Sequence, residues 1–244
     1  MNIRIGQTII IAIAIIIAVY MGTHALTYRS RAEETILVTG LAQKDFNSDL
    51  IVWNGSWSRK SMDLKSAYAL LKTDETMVRE YLLKKGITNS EMVFSSVSIE
   101  KLTTPRLDKD GKPVSQDFAG YELTQSVNIE STDIDRIDKV SREATELIES
   151  GIELNSASPS FYNTKLNQVK MELLAKASAD AHERAEAIAQ NAGSSLGKLK
   201  KATMGVFQIT GRNSNEDMSS GGDFDTANRY KTGSITIKME FSVN

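Results

Sequence analysis

The sequence contains no cysteine and has only two histidines and three prolines among its 244 residues. The lack of cysteine excludes disulfide bonds, thiolate catalysis and cysteine ligands for zinc, and it does not identify the compartment. Charge of either sign is not in excess, because 29 Lys and Arg oppose 31 Asp and Glu for a net charge of −2. Such a balance gives no global attraction to nucleic acid, and the interspersed charges indicate a solvated surface.

Charged side chains are also absent from a long N-terminal segment. No Asp, Glu, Lys or Arg occurs in residues 5–28, and arginines flank this run on both sides. A charge-free run of this length predicts a transmembrane anchor, and a signal peptide cleaved after Ala25 is the alternative. The nearly equal positive flanks do not fix the membrane orientation. We therefore divide the chain into an anchor or signal segment with a hinge, residues 1–34, and one α+β domain, residues 35–244.

The spacing of apolar residues predicts a ferredoxin-like core within that domain. The order predicted for residues 49–162 is strand, helix, strand, strand, helix, strand, which is the split βαβ pattern. The predicted segments are strands at 35–44 and 49–59, a helix at 62–85 capped by Ser61, strands at 92–103 and 118–130 joined by a loop with Pro105, Gly111 and Pro113, a helix capped near Ser131 or Thr132 and ended by Gly151, and a strand at 153–162. The C-terminal strands, 200–210 and 234–243, are predicted to form a hairpin around a long flexible loop at 211–233.

A long alanine-rich helix is predicted between the core and this hairpin. Residues 164–192 would span on the order of 45 Å, and Gly193 suits the left-handed position that ends a helix. Asp180 and Arg184 are four residues apart and can pair on one face. The many alanines allow a neighbouring backbone to approach closely. The predicted buried stripe consists of Leu166, Val169, Leu173, Ala177, Ala181, Ile188 and Ala192.

These residues also carry a family resemblance. The C-terminal signature of the SIMPL-domain family is similar to the series Asp180, Ala181, Arg184, Ala185, Ala189, Gly193, Leu196 and Gly197, followed by an apolar strand. The family's opening strands are similar to Val38, Thr39 and Gly40 and the continuation through Ile51, Trp53 and Gly55. The resemblance covers about residues 35–243 and implies a SIMPL-type domain of a bacterial envelope. It implies no reaction and no catalytic residues.

Few side chains offer catalytic or metal-binding chemistry. His182 is the only histidine in residues 35–244, and without a G-x-S-x-G elbow it is interpreted as a helix-surface residue. Glu186 follows it by one helical turn, but two ligands are fewer than a zinc site needs. The sequence therefore predicts no catalytic residue, no metal site and no cofactor.

Three further groups have structural interpretations. A polar loop explains the carboxylates better than a calcium site does, because their spacing matches no EF-hand: Glu216, Asp217, Asp223 and Asp225. The glycines at 193 and 197 follow a helix, whereas a phosphate-binding loop precedes one. Core or sheet packing is expected of the strand aromatics Trp53, Trp57, Phe161 and Tyr162.

These observations predict a non-enzymatic, membrane-anchored envelope protein whose domain self-associates or binds another envelope protein. The resemblance places the domain on the periplasmic side of the inner membrane, and Ala181 and Ala185 are expected to offer a small-residue face to another subunit. Two alternatives stay open. One is an exported hydrolase that uses carboxylates, and the other is a soluble, stress-related periplasmic protein that binds a small ligand.

Overall fold

A computed structural model describes residues 15–21, 23, 34–214 and 221–244. The predicted membrane segment, residues 5–28, lies largely outside these residues, and its described part at 15–21 is helical. Among the described residues, no helix is both long and apolar enough to cross a membrane. The elements from residue 35 onward are β1 (Thr35–Asn47), β2 (Leu50–Ser61), α1 (Leu64–Lys84), β3 (Met92–Phe94), β4 (Ser98–Leu107), β5 (Pro113–Ser131), α2 (Ile134–Glu143), a 3-10 helix (Ala144–Ser150), β6 (Asn155–Ser156), β7 (Ser160–Tyr162), α3 (Leu166–Asn191), β8 (Leu196–Met204), β9 (Gln208–Gly211) and β10 (Tyr230–Val243).

The middle of the chain forms an antiparallel sheet, here called sheet B. Its strands run in the order β3-β5-β2-β6, with β4 paired to β5 and β7 paired to β2. The strand and helix order predicted for residues 49–162 is present, although the strand predicted at 92–103 is divided into β3 and β4 and the last predicted strand into β6 and β7. Helices α1 and α2 bury their apolar residues against this sheet, around Trp53 and Trp57, which are 1% and 2% exposed. The aromatic side chains of β2 are therefore core residues, as predicted.

The two ends of the described domain meet in a second sheet, here called sheet A. Strand β1 pairs with β10 along its whole length, from Thr35 opposite Ser242 to Asn47 opposite Tyr230. Strands β8 and β9 both pair with β10, and α3 covers one face of the sheet. The predicted C-terminal hairpin is thus part of a larger sheet that the N-terminal strand completes. The described residues of the domain contain two hydrophobic cores, one on each sheet.

Both predicted helix caps in the core are displaced toward an aspartate. Asp63 caps α1, because its carboxylate accepts a hydrogen bond from the Ser66 backbone N–H at 2.8 Å. Asp133 caps α2 in the same way, through the Arg136 backbone N–H at 3.2 Å. The expected caps at Ser61 and at Ser131 or Thr132 were wrong, since an aspartate next to the first helical turn is also an excellent acceptor for the free N–H groups.

Helix α3 is packed along a stripe that differs from the predicted one at its C-terminal end. Ile188 is 49% exposed and Ala192 is exposed, whereas Ala185 and Ala189 are fully buried. The prediction that Ile188 and Ala192 follow Ala181 in the buried stripe was wrong, because every fourth residue continues to contact the sheet and the buried positions are Ala185 and Ala189. Ala181 is also fully buried against sheet A. The small-residue face is therefore used within the chain, so Ala181→Glu would disrupt folding and would not isolate assembly.

The predicted loop at residues 211–233 is shorter in the structure. Gly211 belongs to β9, and β10 begins at Tyr230. Within the loop, the Asp223 carbonyl oxygen accepts a hydrogen bond from the Ile209 N–H at 2.8 Å, and the Asp225 N–H donates to the Ile209 carbonyl at 3.0 Å. Residues 223–225 are thereby attached to β9.

Candidate interaction surfaces

Helix α3 approaches β1 closely at a glycine. A Cβ atom at Gly40 would lie 2.1 Å from the carbonyl oxygen of Ala177 and 2.7 Å from the backbone nitrogen of Ala181. Both distances are far below van der Waals contact, so a side chain does not fit between the two backbones. The glycine and the alanines of the sequence resemblance therefore face one another across the interface between β1 and α3.

Polar contacts reinforce this interface. The Asp180 carboxylate accepts a hydrogen bond from the Leu41 backbone N–H at 2.9 Å and pairs with Arg184 Nε at 2.9 Å. The Leu41 hydrogen bond, followed by the Arg184 contact, holds the pKa of Asp180 below its usual range. Eight residues before Asp180 on α3, Glu172 contacts both Lys44 and Lys176, and their hydrogen bonds lower the pKa of Glu172 to about 2.

The contact from Asp180 also limits the free edge of sheet A. Among the described residues, β1 has β10 as its only strand neighbour, so its outer edge carries backbone groups without a strand partner. The Leu41 N–H lies on this edge and is occupied by Asp180. A charged side chain over an edge strand hinders the addition of another strand. The edge of β1 is consequently a poor candidate for partner binding.

A projecting β-hairpin replaces the loop that was predicted around Pro105, Gly111 and Pro113. Strand β2 is paired with β5 only as far as Ser61 opposite Tyr121. Beyond that point β4 and β5 continue as a two-stranded ribbon, from Thr103 opposite Phe118 to Leu107 opposite Pro113. We call residues 103–118 the arm. The loop prediction was wrong because the prolines occupy ribbon positions and only the Asp-Lys-Asp-Gly sequence forms the turn.

The tip of the arm is a well-formed turn. The Asp108 carboxylate accepts hydrogen bonds from the Asp110 N–H at 2.9 Å and the Lys112 N–H at 2.8 Å. Gly111 adopts φ 77°, a left-handed conformation that glycine accepts without steric cost. The Asp108–Gly111 sequence therefore forms a turn at the end of a ribbon.

The two faces of the arm differ in polarity. Cross-strand pairing places Thr103, Pro105, Leu107 and Gln116 on the face of Phe118, while Thr104 and Arg106 share the other face with Asp117 and Ser115. Phe118 packs edge-on against Tyr121, with ring centroids 5.1 Å apart. Phe118 remains 47% exposed and Leu107 56% exposed. Pro105, Leu107 and Phe118 dominate this face, on which the polar side chains Thr103 and Gln116 are hydrogen-bonded to each other at 3.0 Å. We call it the apolar face of the arm, and it is uncovered.

A second apolar area adjoins the base of the arm. Gly120 has φ 123°, and a Cβ atom there would lie 3.5 Å from the Met62 sulfur. Met62 is 65% exposed, and on the start of α1 Leu64 and Tyr68 are 36% and 51% exposed. We call Met62, Leu64 and Tyr68 the base patch. Through Met62, the base patch lies beside Gly120, where the arm joins sheet B.

A polar cavity of about 320 Å³ lies beside the start of β10. Its lining, which we call the polar basin, consists of Arg212, Asn213, Asn228, Arg229 and Tyr230. Arg212 pairs with Asp45 of β1 at 3.2 Å, and Arg229 pairs with Asp135 of α2. The basin therefore lies where sheet A meets the helical layer of sheet B.

The main chain beside the basin is fixed by buried polar contacts. Lys231 is 2% exposed, and its Nζ donates to the Asp225 carbonyl oxygen at 2.5 Å. Burial lowers the pKa of Lys231, and the nearby negative charge of Asp225 opposes this shift. The Asp225 carboxylate accepts hydrogen bonds from the Ala227 N–H at 2.7 Å and the Asn228 side chain at 2.9 Å. The residues that lead into the basin are thus held at several points.

The structure places His182 and Glu186, two of the candidates for catalysis and metal binding, on the exposed surface of α3. His182 is exposed on α3 and packs edge-on against Phe241, with centroids 5.7 Å apart. Glu186 accepts a hydrogen bond from Gln190 at 3.3 Å. Glu216 and Asp217 lie outside the described residues. Within the described ranges, no group of three or more histidines and carboxylates is arranged to hold a metal ion.

Sequence reasoning missed both the arm and the basin. For the arm, a signal was present, because the Asp-Lys-Asp-Gly turn sequence at 108–111 is flanked closely by Leu107 and Val114. For the basin no local signal exists, since Arg212 and Arg229 belong to opposite ends of a polar segment and are brought together by strand pairing.

The arrangement of strands and helices defines an α+β domain with two antiparallel sheets. A family model, SIMPL, described as a protein of unknown function (DUF541), matches residues 36–244. The chain belongs to the SIMPL family, as its sequence resemblance indicated. The comparison with curated proteins finds no match.

Proposed function

We propose that this chain is a non-enzymatic, membrane-anchored envelope module that self-associates through its arm. The single observation that carries the proposal is the uncovered apolar face of the arm. The charge-free run at residues 5–28 supports a membrane anchor. The family resemblance supports the inner membrane, with the domain on the periplasmic side.

The arm is poorly suited to stand alone in water. A two-stranded ribbon is marginally stable unless a third element covers it. Strand β4 packs substantially against β5 alone among the described elements. Leu107, Val114 and Phe118 are each about half exposed or more. Covering these side chains would remove apolar surface from water at roughly 25 cal/mol per Å².

A second copy of the chain is the partner that fits. The arm carries Arg106, Lys109 and Lys112 against Asp108, Asp110 and Asp117, so its net charge is three minus three, or zero, and two arms do not repel. Each copy also supplies a base patch beside its arm. A twofold arrangement would place each arm face on the partner's base patch and bury both kinds of surface at once.

The buried ionisable side chains support a structural role over a catalytic one. Asp74 and Lys231 are the buried charged residues among the described part of the chain. Asp74 is paired bidentately with Arg59, and Lys231 donates to the Asp225 carbonyl oxygen. Both groups are engaged in contacts that hold elements together.

The association is tested with two lysine variants on opposite faces of the arm. The full-length chain in nonionic detergent is examined by light scattering over a range of concentrations, alongside Phe118→Lys and Thr104→Lys. We expect a concentration-dependent dimer for the unmodified chain and for Thr104→Lys, and an association at least ~10-fold weaker for Phe118→Lys. A monomer at all concentrations, or equal loss in both variants, contradicts the proposal.

The absence of cysteine allows an independent test. Leu107→Cys introduces a single thiol on the apolar face, and Thr104→Cys introduces one on the polar face. With Tyr68→Cys on the base patch added to each variant, oxidation in intact cells should give a disulfide-linked dimer for Leu107→Cys, because the arm face lies on the partner's base patch, and much less for Thr104→Cys. Two further measurements on the same cells test the location and the anchor. Protease added to spheroplasts should cleave a periplasmic domain. Alkaline extraction should leave an anchored chain in the membrane fraction.

A further inference from the structure

The polar basin combines two guanidinium groups with two primary amides. Arg212 meets Asp45 through Nε, which uses one of the five N–H donors of its guanidinium. Arg229 meets Asp135 through its terminal nitrogens. Guanidinium groups match oxyanions through paired N–H donors. The basin therefore offers more donors than the two oxygens of a carboxylate can accept, and a tetrahedral phosphate with three or four oxygens matches them better.

From this lining we infer that the polar basin binds the phosphate group of an anionic ligand. The inference is independent of the arm and goes beyond the proposed self-association. The chemistry is that of an oxyanion held between Arg212 and Arg229, with Asn213 and Asn228 as further hydrogen-bond donors.

The basin is organised before a ligand arrives. The Arg212 N–H donates to the Tyr230 carbonyl at 2.9 Å, and the Ser48 N–H donates to the Arg229 carbonyl at 3.0 Å. Lys231 and Asp225 fix the chain on either side of Asn228. Because the backbone that carries the donors is already held, little conformational entropy is lost on binding.

The phosphate competes with carboxylates that already contact the arginines. Asp135 is well solvated, with a side chain 81% exposed, and the Arg229 contact lowers its pKa. An exposed ion pair contributes little to stability, so exchanging Asp135 for a bound phosphate is inexpensive. Asp135→Asn should therefore strengthen phosphate binding, because it removes the competing carboxylate. If Arg229 had only a structural role, this variant would not change the affinity for phosphate.

A second polar cavity gives room for the remainder of the ligand. It has a volume of about 220 Å³, shares Asn213 with the basin and is lined on sheet A by Gln43, Thr210, Thr232 and Ser234. Amide and hydroxyl groups of this kind hydrogen-bond to hydroxyl groups of a ligand. A hydroxyl-bearing phosphate compound is thus accommodated across the two cavities.

The test is calorimetric titration of the full-length chain in nonionic detergent with inorganic phosphate, in chloride buffer at constant ionic strength. We expect saturable binding that weakens at least ~10-fold in Arg229→Gln and in Arg212→Gln, and that tightens ~3-fold or more in Asp135→Asn. Arg142→Gln is the matched control, because this arginine pairs with Asp138 on the same helix as Asp135 and lies outside the basin. Far-UV circular dichroism checks that each variant is folded.

Two further probes distinguish the source of the phosphate. Glycerol 3-phosphate represents a free metabolite, and dihexanoyl phosphatidylglycerol below its micellar concentration represents a lipid headgroup. The tighter of the two identifies the source, and either one supports the site if its binding is lost in Arg229→Gln. The inference is overturned if no probe binds saturably, if Arg142→Gln weakens binding as much as Arg229→Gln, or if Asp135→Asn leaves the affinity unchanged.

Discussion

Gly40 and Ala177 are so close that a Cβ atom on the glycine would lie 2.1 Å from the alanine carbonyl oxygen. This distance shows that the backbone of β1 touches the backbone of α3. The contact explains why a glycine in the first strand and a row of alanines in a distant helix occur in one chain. It also makes the packing of sheet A sensitive to a single methyl group.

Gly40→Ala should lower the free energy of unfolding by about 3 kcal/mol, because the added methyl group meets backbone atoms that cannot rotate away. The measurement is urea-induced unfolding followed by circular dichroism. Gly221→Ala is the control, since nothing lies within 4 Å of a Cβ atom at that position. Equal stability of the two variants would show that α3 does not approach β1 this closely.

Acid should weaken the contact between β1 and α3. The pKa values of Glu172 and Asp180 are lowered in the folded chain from ordinary values of 4.5 and 3.8, that of Glu172 to about 2. A carboxyl group with a lowered folded-state pKa stabilises above its unfolded pKa and loses this effect as the pH falls through the folded value. The free energy of unfolding should therefore decrease between about pH 4.5 and pH 2, and it should decrease less in the double variant Glu172→Gln, Asp180→Asn.

A matched control for the acid experiment is Asp138→Asn. Asp138 pairs with Arg142 at the same four-residue spacing as Asp180 and Arg184, but it belongs to α2. This variant should retain the pH dependence of the unmodified chain between pH 4.5 and 2. If Asp138→Asn reduces the pH dependence of the free energy of unfolding as much as the double variant does, the loss of stability in acid is not specific to the contact between β1 and α3.

Arg59→Met should destabilise the chain by about 3 kcal/mol, because it leaves the carboxylate of Asp74 buried without its cation. The Asp74 side chain is 3% exposed, and Arg59 binds it at 2.5 and 2.9 Å while also donating to the Gly151 carbonyl at 2.7 Å. Adding Asp74→Leu should recover much of the loss, since it removes the unpaired buried charge. Thermal unfolding of the single and double variants measures the difference, and an even less stable double variant would refute this account.

Hydrogen exchange should separate the arm from the sheet that carries it. At concentrations that favour monomers, ladder amides in residues 103–118 should exchange on the order of 100-fold faster than those of Val127 and Ile129, which are fully buried. Mass spectrometry at increasing protein concentration should then show slower exchange in the arm alone. Exchange in the arm that is independent of concentration would speak against its burial by a second copy.

The ferredoxin-like order was predictable because it depends on local patterns. The alternation that buries Trp53 and Trp57, the periodic apolar residues of α1 and the glycines that follow helices are all visible within a few residues of one another. Cap positions were displaced by two residues or fewer, because serine, threonine and aspartate compete as acceptors for the same free N–H groups. Local signals thus determine the elements more reliably than their ends.

The arm and the polar basin could not be derived in the same way. The prolines at 105 and 113 favoured a loop, but each is tolerated in the ribbon, where the edge of a strand does not need every N–H. The basin requires β9 and the start of β10 to bring Arg212 and Arg229 to one cavity. No spacing along the chain reports that proximity.

The sequence by itself determined the order of the core elements outside the arm, the family, and the lack of cysteine with only two histidines, because these depend on composition and on short-range periodicity. Only the tertiary structure decided that β1 pairs with β10, that the alanine face of α3 packs against sheet A at Gly40, and that the apolar face of the arm is left uncovered. The first two outcomes depend on contacts between residues more than a hundred positions apart, such as Leu41 with Asp180. The third depends on β4 having β5 as its only strand neighbour among the described residues. The free energy of such contacts comes from the packing of whole elements, which no local pattern records.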